Sequence, residues 1–85
     1  MEPDNPTQTI TLVLTCLNGP ECVVSFEPWG SQHVLRREDR FTVSVTAPAP
    51  IDSIEVSYGS DGIIVCLLID GEITVTNRAG ESLPL

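Results

Sequence analysis

The chain contains no lysine, only one histidine, one tryptophan and one tyrosine, and no long hydrophobic run among its 85 residues. Four arginines are set against twelve acidic residues, which gives a net charge of -8 at pH 7. So few cations cannot form the basic footprint that nucleic acids require, and the charge also disfavours an anionic membrane surface. The longest apolar run, Ile63 to Ile69, is far shorter than the roughly 20 residues of a membrane-spanning helix. We therefore expect no nucleic-acid partner and no membrane partner.

The N-terminal segment also lacks the features of an export signal. Residues 1–7 contain two prolines and two acids, whereas a signal peptide begins with basic residues and continues with an apolar stretch. We predict a flexible tail over residues 1–7, a single domain over residues 8–85 and a cytoplasmic location. A domain of this length buries roughly 60–65% of its unfolded surface, so its core is thin.

Cysteine is scarce, and the three present are an odd number that does not make a disulfide scaffold. Cys16 and Cys22 flank the turn Asn18-Gly19-Pro20 and would lie opposite each other on a hairpin, where a bond is geometrically feasible. The favoured interpretation is different: Cys16, Cys22 and Cys66 are small buried side chains in a reducing cytosol. The sequence alone does not decide between the two.

Motifs for metal binding and catalysis are also sparse. A metal site of the cupin kind needs several histidines on facing strands, and His33 is the only one. The sequence has no G-x-S-x-G motif and no glycine-rich phosphate loop before a helix. We therefore predict no metal and no cofactor, and we favour a binding module over an enzyme. A Cys-His or Ser-His-Asp arrangement assembled only in space stays open.

The sequence does contain the alternation typical of β-strands. Apolar and polar side chains alternate in six segments, residues 8–17, 21–27, 31–36, 40–46, 52–58 and 72–76. Turn residues separate the segments at nearly every junction, and none has helical periodicity. The sequence predicts an all-β domain, namely a single small antiparallel β-sandwich or barrel of six to eight short strands.

Two dipeptides, Asn18-Gly19 and Asp70-Gly71, are strong signals for hairpin turns. We expect the first to join strands one and two as an antiparallel hairpin, and the second to join the strand at Ile63 to Ile69 to the strand that follows. The segment Ile63 to Ile69 is apolar on both faces. This pattern indicates either a central strand or a strand whose outer face contacts a second subunit, as in a homodimer.

The segment from Phe26 to Phe41 holds the only tryptophan, the only histidine and three of the four arginines. Trp29 lies between two turn-forming residues, where it either covers an open end of the core or projects as an aromatic anchor. The arginines either pair with nearby acids or form a site for an anion or carboxylate. The acids in question are Glu27, Glu38 and Asp39.

These observations support two functions of different classes. The favoured one is a non-enzymatic binding or protein-interaction module, which self-associates through Ile63 to Ile69 or presents the tryptophan and the arginines to an unknown protein partner. The alternative is a small-molecule-binding or catalytic β-barrel with its site in the same region. The predicted binding residues are Trp29, His33, Arg36, Arg37, Arg40 and Tyr58.

The run Phe26-Glu27-Pro28-Trp29-Gly30, followed by His33-Val34-Leu35 and by Asp39-Arg40-Phe41-Thr42-Val43, resembles a group of small bacterial, largely actinobacterial, β-rich proteins. In that group an E-P-W-G turn precedes an aromatic residue or His, a Leu, a Gly-Asp turn and an apolar strand. Glu38 stands here in place of that glycine. The resemblance implies a compact antiparallel fold, cupin-like in type, and no established activity.

Overall fold

The computed structural model describes residues 6–17, 19–51 and 54–85, and these residues form seven strands and no helix. The described residues accordingly include no helix that could span a membrane. The predicted all-β class is confirmed, and the architecture is a sandwich of two open sheets, not a closed barrel. The strands are β1 (Thr7–Leu14), β2 (Glu21–Glu27), β3 (Ser31–Arg36), β4 (Phe41–Pro48), β5 (Glu55–Gly59), β6 (Gly62–Cys66) and β7 (Glu72–Thr76).

Three strands, β2, β3 and β7, have the predicted boundaries, and the boundaries of the other four differ from the predicted segments by one to three residues. β1 begins at Thr7, one residue before the predicted domain start, and the Pro6 carbonyl accepts a hydrogen bond from the Ala49 amide at 2.8 Å. Residues 1–5 of the predicted tail lie outside the described residues, as do Asn18, Asp52 and Ser53. After β7, the described residues form a single isolated bridge, between Thr76 and Ser82, and no eighth strand.

One sheet has three strands in the order β1-β4-β7, and the other has four in the order β3-β2-β6-β5. Four of the five strand pairs are antiparallel, and β2 with β6 is parallel. The strand at β6 is central, with β2 on one side and β5 on the other, which is one of the two alternatives that its apolar faces indicated. It ends at Cys66, so the last part of the predicted strand is irregular.

The two hairpins predicted at Asn18-Gly19 and Asp70-Gly71 are wrong, because both connections cross from one sheet to the other. β1 and β7 each pair with β4 instead. Because consecutive strands then lie in different sheets, their apolar faces pack against each other across the core. Gly71 suits this path because a Cβ atom there would lie 2.4 Å from the Thr46 carbonyl oxygen. The true hairpins join β2 to β3 and β5 to β6.

The core lies between the sheets and consists of the inward side chains of both. Those on β2, β4, β6 and β7 are almost fully buried, and each contributes about 1.5–3 kcal/mol of hydrophobic stabilisation. They include Val24, Phe26, Phe41, Val43, Val45, Val65 and Val75. On β2, β4 and β7 the buried side chains occupy the apolar positions of the alternation in the sequence, whereas β6 is apolar at both sets of positions.

Cys16 and Cys22 form a disulfide, with their Cα atoms 5.9 Å apart. The expectation that all three cysteines are unbonded is therefore wrong for this pair, whereas Cys66 is free. The bond joins the chain just after β1 to the start of β2, so it links the two sheets at one end of the sandwich. For a loop this short, the loss of chain entropy in the unfolded state corresponds to roughly 2 kcal/mol of stabilisation.

Candidate functional site

The six predicted binding residues do not come together in one place. Trp29 lies in the turn before β3 and Arg36 at its far end, which at about 3.3 Å per residue places them roughly 20 Å apart. Tyr58 lies on β5, at the opposite edge of the same sheet, about 14 Å from β3. Five of the predicted residues lie on three surfaces, one at each end of the sandwich and one along β5, and the sixth, His33, lies on the inner side of β3.

The first surface is the arginine end, which we define as Arg36, Arg37, Arg40 and Arg78. The first three follow β3 and the fourth follows β7, so all four arginines of the chain lie at the same end. The guanidinium groups of the first three make no ion pair with any carboxylate that the structure describes. A cavity of about 350 Å³ lies here, lined by Arg36, Glu38, Asp39, Asn77, Arg78, Ala79 and Glu81.

Asp39 fixes the backbone of the arginine end. Its Oδ1 atom accepts hydrogen bonds from the Arg78 amide at 2.9 Å and from the Arg40 amide at 2.7 Å. These two backbone donors, the Arg78 amide most strongly, lower the pKa of the Asp39 carboxyl below its ordinary value. The Arg78 Nη1 atom donates to the Glu38 carbonyl at 3.2 Å. The turn between β3 and β4 is therefore held against the loop that follows β7.

His33 is a structural residue in this arrangement. Its side chain lies on the inner side of β3, and its ring centre is 6.0 Å from that of Phe26 and 6.3 Å from that of Phe41. The Nε2 atom lies 2.7 Å from the Pro84 carbonyl oxygen. A carbonyl oxygen only accepts, so Nε2 carries the hydrogen of this bond. His33 thus holds the C-terminal residues against β3.

The second surface lies at the opposite end of the sandwich and includes Trp29. The Trp29 side chain is 45% exposed and does not belong to the core cluster, so it does not plug the end of the sandwich. Nearby Leu68 is 75% exposed. A groove of about 400 Å³ at this end is lined by Ala47, Pro48, Pro50, Ile51, Leu68, Ile69 and Asp70. It includes none of the predicted binding residues.

The third surface is the β5 edge, which we define as the unpaired side of β5 together with the side chains of Val56 and Tyr58. Every residue of β5 is exposed. Val56 and Tyr58 occupy the inward positions of the alternation, because they pair with Val65 and Ile63 of β6. They are nevertheless 50% and 69% exposed, since β5 is the fourth strand of its sheet and the opposite sheet has only three.

The outer face of β6, predicted as a surface for self-association, carries one exposed apolar side chain within the strand. Ile64 lies between Ser25 and Ser57 of the neighbouring strands. Cys66, two residues further on, lies between Glu27 and Glu55. Contact between two copies through this face would bring acidic side chains together.

Neither the chemistry of the site nor comparison with known proteins supplies an activity. The described residues contain no group of three or more His, Cys, Asp and Glu side chains arranged to hold a metal ion. Comparisons with protein-family models, with curated proteins and with solved structures find no match to this chain. The resemblance to bacterial proteins with an E-P-W-G turn stays a prediction.

Two residues of these surfaces, Arg78 and Val56, are not among the binding residues that the sequence predicted. Arg78 joins the arginine end from a distant part of the chain, and no local pattern connects it to Asp39. The alternation places Val56 on the same face as Tyr58, but it does not predict that this face is exposed, because exposure depends on the number of strands in each sheet. A sequence signal for the second was present, since a domain with an odd number of strands in two sheets has sheets of unequal width.

Proposed function

We propose that this chain is a non-enzymatic protein-interaction module that binds an extended polypeptide segment by adding it as a strand to β5. The observation that supports this is the β5 edge, where Val56 and Tyr58 are inward in the alternation but lie beyond the cover of the other sheet. At each of the other three edges an inward apolar side chain is buried, namely Leu14 on β1, Leu35 on β3 and Val75 on β7, and the exposed Val13 and Val34 lie on the outer faces of their sheets.

Strand addition supplies two kinds of contact at this edge. The backbone of the partner completes the hydrogen bonds of β5, and its alternate side chains cover Val56 and Tyr58. Its remaining side chains lie on the outer side, next to Glu55 and close to the Asp61 turn. Among segments of other proteins, the best partner is therefore one in which apolar residues alternate with arginine or lysine.

Selection of peptides from a random nine-residue library, with the purified protein as target, tests this function. We expect the selected peptides to alternate apolar and basic residues, and to bind Val56→Lys at least tenfold more weakly, because an inward lysine on an edge strand opposes pairing. Binding should protect the Val56 and Tyr58 amides from hydrogen exchange. Trp29→Ala is the matched control and should bind normally. Peptides that ignore Val56→Lys and require Trp29 would refute the proposal.

A second candidate is supported by the unpaired guanidinium groups of the arginine end. Arginine forks bind carboxylate and phosphate well, so a small anion is a suitable ligand there. This candidate keeps the small-molecule binding of the alternative prediction and places it on an open sandwich instead of a barrel. Titration with inorganic phosphate and with citrate, followed by NMR, tests it: Arg36→Gln together with Arg37→Gln should abolish the shifts, and shifts that persist in that variant would exclude this site.

The cytoplasmic location stays a prediction, and the disulfide makes it testable. Disulfides persist mainly in oxidising compartments. Alkylation of thiols at the moment of cell lysis, followed by mass spectrometry, should label Cys16, Cys22 and Cys66 if the protein resides in a reducing cytoplasm. Labelling of Cys66 alone would place it in an oxidising compartment.

A further inference from the structure

We propose that the strand added to β5 is β5 of a second copy of this chain, paired antiparallel about a two-fold axis beside Ser57. The inference rests on the proposed function, because it names the occupant of the β5 edge. Three properties of the strand support it: the direction of its free backbone groups, the match of its side chains to themselves, and the position of its charge.

The free backbone groups of β5 follow from its hairpin. Gly59 pairs with Gly62 across the two-residue loop Ser60-Asp61. The pair that flanks such a loop exchanges both of its hydrogen bonds, and bonded and non-bonded pairs then alternate along an antiparallel ladder. Ser57 and Glu55 therefore bond to β6 like Gly59, whereas the N–H and C=O groups of Val56 and Tyr58 point to the free edge.

An axis beside Ser57 uses all of these groups. It places Val56 opposite Tyr58 of the second copy, and Tyr58 opposite Val56 of the second copy. Each of these two pairs has both members pointing across the new interface, so each exchanges two hydrogen bonds. Ser57 faces itself as the non-bonded pair between them. Only this register pairs all five residues of β5, and a shift by one residue would turn apolar side chains to the opposite face.

The side chains and charges of β5 fit the same register. Val56 and Tyr58 of both copies form one apolar cluster on the inward side of the sheet, where each is at least half exposed in the single copy. Glu55, the only charged residue of β5, lies opposite Gly59 of the second copy, so the paired strands bring no two like charges directly together. The two four-stranded sheets become one continuous sheet.

The same charges make this dimer weak and dependent on salt. Each copy carries a net charge of -8, and an edge of five residues buries less than the roughly 1,200 Å² of a stable interface. Salt screens the repulsion, so we expect the dissociation constant to fall at least severalfold between about 50 mM and 500 mM NaCl, since the Debye length shortens over this range. A basic foreign strand would bind more weakly with salt, which is the opposite trend.

A cysteine at the proposed axis tests the register directly. Facing Cα atoms of a non-bonded pair are about 4.5 Å apart, which is within the range of a disulfide. In a Cys66→Ser background, Ser57→Cys should form a covalent dimer in air at least tenfold faster than Gln32→Cys. Gln32 is the matched control, because it is an exposed outer-face residue of β3 in line with Ser57 across the sheet. Equal rates for the two variants would overturn the register.

Sedimentation velocity of the unmodified protein separates this inference from the proposed function. We expect a monomer-dimer equilibrium that Val56→Lys abolishes and Ile64→Lys, on the outer face of β6, leaves intact. Loss of the dimer with Ile64→Lys alone would assign association to the outer face instead. A protein that stays monomeric at millimolar concentration in high salt would overturn self-pairing. Peptides that still bind at β5 in that case would leave the proposed function standing.

Discussion

The two edge strands of the four-stranded sheet have the same alternation and opposite surroundings. The inward side chains of β3 include His33 and Leu35, and Leu35 is fully buried. The C-terminal residues cover this strand, since His33 bonds to Pro84 and Leu83 and Leu85 pack against the core. The corresponding side chains of β5, Val56 and Tyr58, are 50% and 69% exposed.

This difference shows that alternation predicts which residues share a face, but not whether that face meets a second layer. β5 has Val56 and Tyr58 at inward positions, as apolar as those of β3. Their exposure results from the unequal widths of the two sheets. An apolar face left uncovered at the edge of a sheet is therefore a candidate interface, whereas the same pattern at a covered edge belongs to the core.

Truncation of matched inward side chains should give the largest difference between the two edges. Leu35→Ala removes a fully buried side chain and should lower the free energy of unfolding by roughly 2–5 kcal/mol. Tyr58→Ala should change it by about 0.5 kcal/mol or less, because that side chain is mostly exposed. Urea denaturation of dilute monomer checks both values. Similar losses for the two variants would mean that β5 is covered in solution.

The turn glycines of the two hairpins give the next largest contrast. Gly62, the first residue of β6, has φ +115°, and a Cβ atom there would lie 2.2 Å from the Val23 carbonyl oxygen. Gly62→Ala should therefore disturb the pairing of β2 with β6 and cost roughly 2–4 kcal/mol. Gly30, before β3, has φ +78° and open space around it. Gly30→Ala should cost only the backbone strain, about 1–2 kcal/mol.

Thermal and urea unfolding of both alanine variants, with NMR spectra to confirm the fold, measure this contrast. If Gly30→Ala proved the more damaging, the β2–β3 hairpin rather than the β5–β6 hairpin would limit the stability of the sheet.

Local alternation was sufficient to predict the strands, but the pairing of strands depends on contacts that are distant in sequence. The segments at Glu21–Glu27, Ser31–Arg36 and Glu72–Thr76 were predicted at their observed boundaries. The turn at Asp70-Gly71 was placed correctly and its hairpin was not, because a Gly suits a close approach to β4 as well as a tight turn. A turn signal specifies a change of direction, not the sheet to which the next strand belongs.

The candidate site was less predictable than the fold for the same reason. Trp29, His33 and Arg36 are close in sequence, yet an extended strand separates the first from the last by its full length. Arg78 also lies at the arginine end, although it is 39 positions after Asp39 in the chain. The disulfide also depends on the path of the chain between sheets, because Cys16 and Cys22 meet where the chain crosses from one sheet to the other and not on a hairpin.

Removing the cover of β3 should make the two edges alike. Deletion of residues 83–85 takes away the acceptor of His33 and two leucines that pack against the core. We expect the free energy of unfolding to fall by roughly 1–3 kcal/mol, because the deletion exposes apolar area of the core. Hydrogen exchange of the amides around Leu35 should also become faster. Leu68→Ala, which trims an exposed leucine at the other end, is the control and should have no effect. Unchanged exchange in β3 would show that the C-terminal residues are not its cover.

The smallest expected effect concerns Asp39, which anchors the loop between β7 and the C-terminal residues that cover β3. The Arg78 and Arg40 amides bond to its carboxylate and lower its pKa below the unfolded value of about 3.9. A carboxyl group with a lowered pKa contributes stability that is fully present above the unfolded pKa and is lost as the pH falls through the folded pKa. The urea midpoint of the native protein should therefore exceed that of Asp39→Asn at pH 6, and the difference should vanish near pH 2. Since the amide of asparagine keeps an oxygen acceptor in place, a difference that stayed constant over this range would assign the effect to packing rather than to the charge of Asp39.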